Sequence, residues 1–89
     1  MKLCMKPVEM IAVSTCDGSI RPLKFKWHEA NDTAEAQVVK VDRIYTISEE
    51  KIAGNSMLVF SAQSFIHGED RRYELKYEKK SMIWYLSRI

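Results

Sequence analysis

Two histidines, two cysteines and a handful of carboxylates are the side chains with which this 89-residue chain could do covalent or acid–base chemistry. His28 stands next to Glu29 and near Asp32 in a polar stretch, and His67 opens a Gly-containing turn. A nucleophile–base pair needs Ser, Cys or Asp held against an imidazole. Neither histidine has such a partner at a spacing that points to one. Cys4 and Cys16 are separated by eleven residues, which is neither a CxxC nor a zinc-finger spacing, with or without the histidines. They read as two reduced thiols. Glu69 and Asp70 are paired carboxylates, but Arg71 and Arg72 follow at once and neutralise them. The three glycines are isolated, so no Gly-rich phosphate loop exists. The expectation is a protein that is not an enzyme, with no cofactor and no metal.

Binding offers more. Arg21, Lys24 and Lys26 fall on one expected strand, and Arg72 and Lys76 on another. Small β-barrels hold single-stranded nucleic acid in basic grooves lined with aromatic rings, and Phe65 and Tyr85 have the outward parity to stack on bases. Glu9, Glu74 and Glu78 alternate with the same cations and offset their field, as on an ordinary charge-laced solvent face. Protein association is the alternative. Ile11, Val13, Val59, Phe65, Ile83 and Tyr85 all take the outward parity, more apolar surface than a solvated sheet face usually carries. A homodimer or a larger protein partner would cover it.

The elements that position these groups are strands. Asp17-Gly18 between apolar-periodic segments predicts a two-residue hairpin turn. That turn sets Ala12 opposite Leu23, Met10 opposite Phe25 and Val8 opposite Trp27, with Glu9 opposite Lys26 on the other face. Pro22 lacks an N–H, so its position should point towards solvent or lie at a bulge. Residues 28–36 read as a loop. The β-branched run from Gln37 to Ser48 is a long strand whose two apolar parities need a bulge or bend near Asp42-Arg43. Ser48 as cap, Glu49 and Glu50 in a first turn and Gly54 as terminator predict a short helical turn over residues 49–53. Turns centred on Gly68-Glu69 and Lys79-Lys80 then set Phe60, Ala62 and Ser64 against Tyr77, Leu75 and Tyr73, and those against Met82, Trp84 and Leu86. The expected fold is all-β, a single domain over residues 1–89. About six antiparallel strands form a small barrel or bent roll, and the core contains Met10, Leu23, Phe25, Trp27, Val41, Phe60, Leu75 and Trp84.

Composition agrees with a packed domain: 46% of residues are hydrophobic and 29% charged, with a net charge of +2, against the composition of disordered chains. Residues 28–50 carry two basic and six acidic groups, while the segments on either side are basic. No apolar run has the 18 residues of a membrane span. The N-terminus is broken by Pro7 and Glu9 and has no signal-peptide pattern, so a cytoplasmic location is expected.

Three stretches carry a resemblance: RPLKFKW, VVKVDRIYTISEEKIAGNSMLVF, and YELKYE followed by WYL. They resemble a group of short bacterial proteins of uncharacterised function with the pattern R-P-[aliphatic]-[basic]-F-[basic]-W, then V-D-R, then Y-E-L. The likeness covers roughly residues 13–89. Some similar domains accompany repair DNA polymerases of the error-prone class, so the resemblance implies a nucleic-acid context. It implies no catalytic residue.

Overall fold

The computed structural model describes residues 1–27 and 36–89. Among them eight strands form: β1 (Leu3–Val8), β2 (Met10–Ser14), β3 (Ile20–Trp27), β4 (Gln37–Lys40), β5 (Arg43–Ile52), β6 (Asn55–Ile66), β7 (Glu69–Glu78) and β8 (Ile83–Arg88). All pairings are antiparallel. A five-stranded sheet has the order β1-β8-β7-β6-β5, and a three-stranded sheet the order β2-β3-β4. The expected barrel does not close. The chain changes sheet at Glu9 and again at Val41-Asp42, which makes eight strands of the expected six and leaves sheet edges at β1, β5, β2 and β4. The second change falls at the bend that the two parities of residues 37–48 demanded.

Inward side chains of the two sheets make one core. Phe25, Trp27 and Val39 come from the small sheet; Phe60, Ala62, Ile66, Tyr73, Leu75, Trp84 and Leu86 come from the large one. Met10 and Val41 pack against it half-buried. Leu23, expected inside, is 42% exposed, and Pro22 is buried in its place. The reason is a bulge. Ile11 pairs with Lys24 and Ala12 with Pro22, so Leu23 has no partner and the inward parity moves by one residue. Val8 pairs not with Trp27 but with Trp84, since β1 belongs to the other sheet.

The helical turn expected over residues 49–53 is the end of β5. Ser48 to Ile52 pair with Val59 to Asn55, and the chain reverses at Ala53-Gly54, both at positive φ (50° and 83°). A terminating glycine serves a hairpin turn as well as a helix end, because both need the left-handed region. Glu49 and Glu50 are matched across strands rather than at a helix end: Glu50 pairs with Lys76 at 2.8 Å and Glu49 with Lys79 at 3.2 Å. The other turns shift in the same way. Residues 15–19 make a loop between Ser14 and Ile20 in place of a two-residue turn. The β6–β7 reversal is at His67-Gly68, which puts Ala62 opposite Tyr73 and Phe60 opposite Leu75. The β7–β8 loop leaves Tyr77 opposite Trp84 and Leu75 opposite Leu86. Both registers differ from expectation by two residues, so the paired side chains keep their expected faces, but Met82, expected inside against Tyr77, lies in the β7–β8 loop and is 73% exposed.

Candidate nucleic-acid interface

The outer face of the small sheet is built by β3. The Leu23 bulge restores Arg21 to the same outward side as Lys24 and Lys26, although the three do not share a simple alternation. All three are exposed. Lys40 of β4 stands directly opposite Lys24, and Val38 directly opposite Lys26. The sequence reading passed over Lys40, which becomes a neighbour of Lys24 only through the β3–β4 pairing. Glu9 makes a salt bridge to Lys26 at 3.4 Å, the opposite-charge pair the first hairpin predicted. Arg21, Lys24 and Lys40 make no salt bridge among the described residues. A shallow groove of about 370 Å³ runs beside them, lined by Ile11, Lys24, Lys26 and Val38 among others.

Arg72 and Lys76 lie elsewhere, on the outer face of the large sheet, so the core separates them from Lys24 and Lys26. Lys76 is bound to Glu50, and Arg88 reaches Glu74 at 3.4 Å on the same surface. That face is the charge-laced one. Arg72 is different: its guanidinium lies 4.4 Å from the centroid of the Tyr45 ring, and Arg43 lies 5.9 Å from the same ring. The aromatic candidates Phe65 and Tyr85 also belong to the large sheet and are remote from β3 in the pairing order.

The apolar candidates divide in the same manner. Ile11 (55% exposed) and Val13 share the small sheet's outer face with Val38 (60%). Phe65, Ile83 and Tyr85 are on the large sheet, with Phe65 next to the β6–β7 turn and Ile83 at the opposite end of the ladder, across from Glu78. Val59 lies between, opposite Lys76.

His28, Glu29 and Asp32 lie outside the described residues. His67 is in the β6–β7 turn, and Cys4 and Cys16 are free and exposed. Among the described residues no three of His, Cys, Asp and Glu gather as metal ligands would. No described helix is long and apolar enough to cross a membrane. The Asp17 carboxylate is pulled down to about 2 by hydrogen bonds from the Thr15 and Ser19 side chains and the Ser19 backbone N–H, which orders the β2–β3 loop. In the core, the Tyr73 hydroxyl and Ser64 Oγ are 2.7 Å apart, and Ser64 also donates to the Lys40 carbonyl. This ties β4 to β6 and holds Lys40 beside Lys24.

No protein-family model matches the chain, and comparison with curated proteins and with solved structures finds no match either.

Proposed function

We propose that this protein is a non-enzymatic binding module that holds single-stranded nucleic acid through phosphate contacts on the outer face of the β2-β3-β4 sheet. The observation that carries the reading is the Lys24–Lys40 pair, two like charges directly opposite on neighbouring strands with no salt bridge to either among the described residues. Such a pair is destabilising by itself, and a phosphate between the two ammonium groups removes the repulsion. Arg21 and Lys26 extend the positive row along β3, while Ile11 and Val38 offer apolar contact to sugar and base. The resemblance to proteins found alongside repair polymerases supports the same context, and such a role belongs in the cytoplasm.

The test is titration with an oligothymidylate at several salt concentrations. Each phosphate contacted on a single strand contributes about −0.7 to the slope of log K against log salt, so three to four contacts give a slope between about −2 and −3. Replacing Lys24 and Lys26 together by Glu abolishes binding, while the variant keeps a cooperative unfolding transition in denaturant. Absence of binding by the parent protein in low salt overturns the reading.

The exposure of Ile11 and Val38 favours a second reading, in which the same face meets a protein, either another copy or a larger partner. It requires a doubled mass in solution, or capture of a partner, that Ile11→Asp reverses.

A further inference from the structure

The groove where β4 gives way to β5 has features that the β3 face does not use. Val41 N–H donates to the Leu23 carbonyl at 2.9 Å, and Asp42 N–H then donates to Gln63 of β6 at 3.0 Å. From that point β5 leaves β3, and a groove of about 430 Å³ opens between them, with Arg21 on one wall and Arg43 and Tyr45 on the other. Tyr45 is the extra residue of a bulge, since Ile44 pairs with Ala62 and Thr46 with Ser61. Bulges re-aim a side chain, and this one sets the Tyr45 ring, 39% exposed, between β5 and the outer surface. Arg72 and Arg43 lie against that ring. Contact with a ring face steadies a guanidinium without consuming its N–H donors, so its fork stays open for a bidentate anion. None of Arg21, Arg43 and Arg72 makes a salt bridge among the described residues. The groove's carboxylate, Asp42, accepts a hydrogen bond from Phe65 N–H at 2.9 Å.

We infer that this groove is a second phosphate seat for single-stranded nucleic acid, made by Arg21 and Arg43 of its walls together with Arg72, which lies outside the lining and reaches it across the Tyr45 ring. The inference rests on the proposed function and extends it. Arg21 belongs to both places, so the positive path along β3 continues into the groove, and a polymer with regularly spaced phosphates can occupy both. The seat accounts for Arg72, which the sheet topology separates from Lys24 and Lys26.

The experiment is the oligothymidylate titration repeated with Arg43→Gln/Arg72→Gln. Loss of two phosphate contacts flattens the salt slope by about 1.4 and weakens binding in low salt, while the unfolding midpoint stays that of the parent. Arg43→Lys/Arg72→Lys keeps both charges and restores most of the slope. An unchanged slope in the Gln variant, with Lys24→Glu/Lys26→Glu still abolishing binding, overturns the second seat and leaves the β3 face standing. Failure of the parent protein to bind overturns both. An oligoglutamate of equal charge that competes as well as the oligonucleotide overturns the assignment to nucleic acid.

Discussion

Trp84 is the residue on which the core depends most visibly. It is 6% exposed, with its ring centroid 5.3 Å from Phe60 and 4.9 Å from Tyr77. Trp84→Ala removes both contacts and leaves a void that rigid strands cannot fill, at a cost of about 3–5 kcal/mol, read as a lower denaturant midpoint. Tyr73 supplies a pH signature. Burial pushes its phenol from 10.0 up to about 12, against the opposing hydrogen bond to Ser64 and with a smaller push from Asp42. The unfolded chain releases this proton near pH 10 and the folded chain near pH 12, so the folded state holds more protons in that window. The stability contributed is present below pH 10 and is lost as pH rises through about 12. Midpoints measured from pH 9 to 12 fall across this window, and Tyr73→Phe reduces the fall.

The strands are joined by tight reversals whose geometry is more demanding than their composition. Ala53 sits at φ 50° in the β5–β6 turn, a region that costs an ordinary L-residue about 1–2 kcal/mol. Asn is the residue preferred at the first of two such positions before Gly. Ala53→Asn should therefore stabilise the protein by up to about 1 kcal/mol, measured as a raised denaturant midpoint with unchanged slope. A helical turn over residues 49–53 would make the same substitution neutral or unfavourable, since Asn is a poor helix former. The strand switch is a second demanding element. Ser64, Gln63 and Phe65 of β6 hold Lys40 and Asp42 by hydrogen bonds, so the bend is fixed from the sheet it enters.

Across the whole molecule, the two sheets turn their charge in opposite directions. Among the described residues the small sheet's outer face is cationic and is opposed by Glu9, while the large sheet's outer face is laced by the Lys76–Glu50 and Arg88–Glu74 pairs. Electrostatic attraction of a polyanion falls off within about a Debye length, so the face on which a charge is placed decides its effect. Lys24→Glu/Lys26→Glu therefore abolishes oligonucleotide binding, whereas Lys79→Glu/Lys80→Glu, an equal change of charge at the exposed β7–β8 loop of the other sheet, leaves the affinity nearly unchanged. Equal loss in both would mean that net charge, and not the β3 face, governs binding.

Period-two alternation was enough to read the all-β class, the faces of β6, β7 and β8, the Glu9–Lys26 pair and the bend near Asp42. Phe25, Trp27, Phe60, Leu75 and Trp84 could be placed in the core for the same reason: an error of two residues in register preserves the face of every side chain. Leu23 could not be read correctly, because a bulge is one residue long and inverts parity from that point onward. The Ala53-Gly54 turn could not be told from a helix end, since both call for a left-handed backbone. The grouping of charges was still less legible. Lys40 meets Lys24 through a ladder between strands on either side of residues 28–36, and Arg72 meets Tyr45 across β6. Alternation along one strand says which side a residue takes, but only the pairing of strands distant in sequence decides which charges become neighbours.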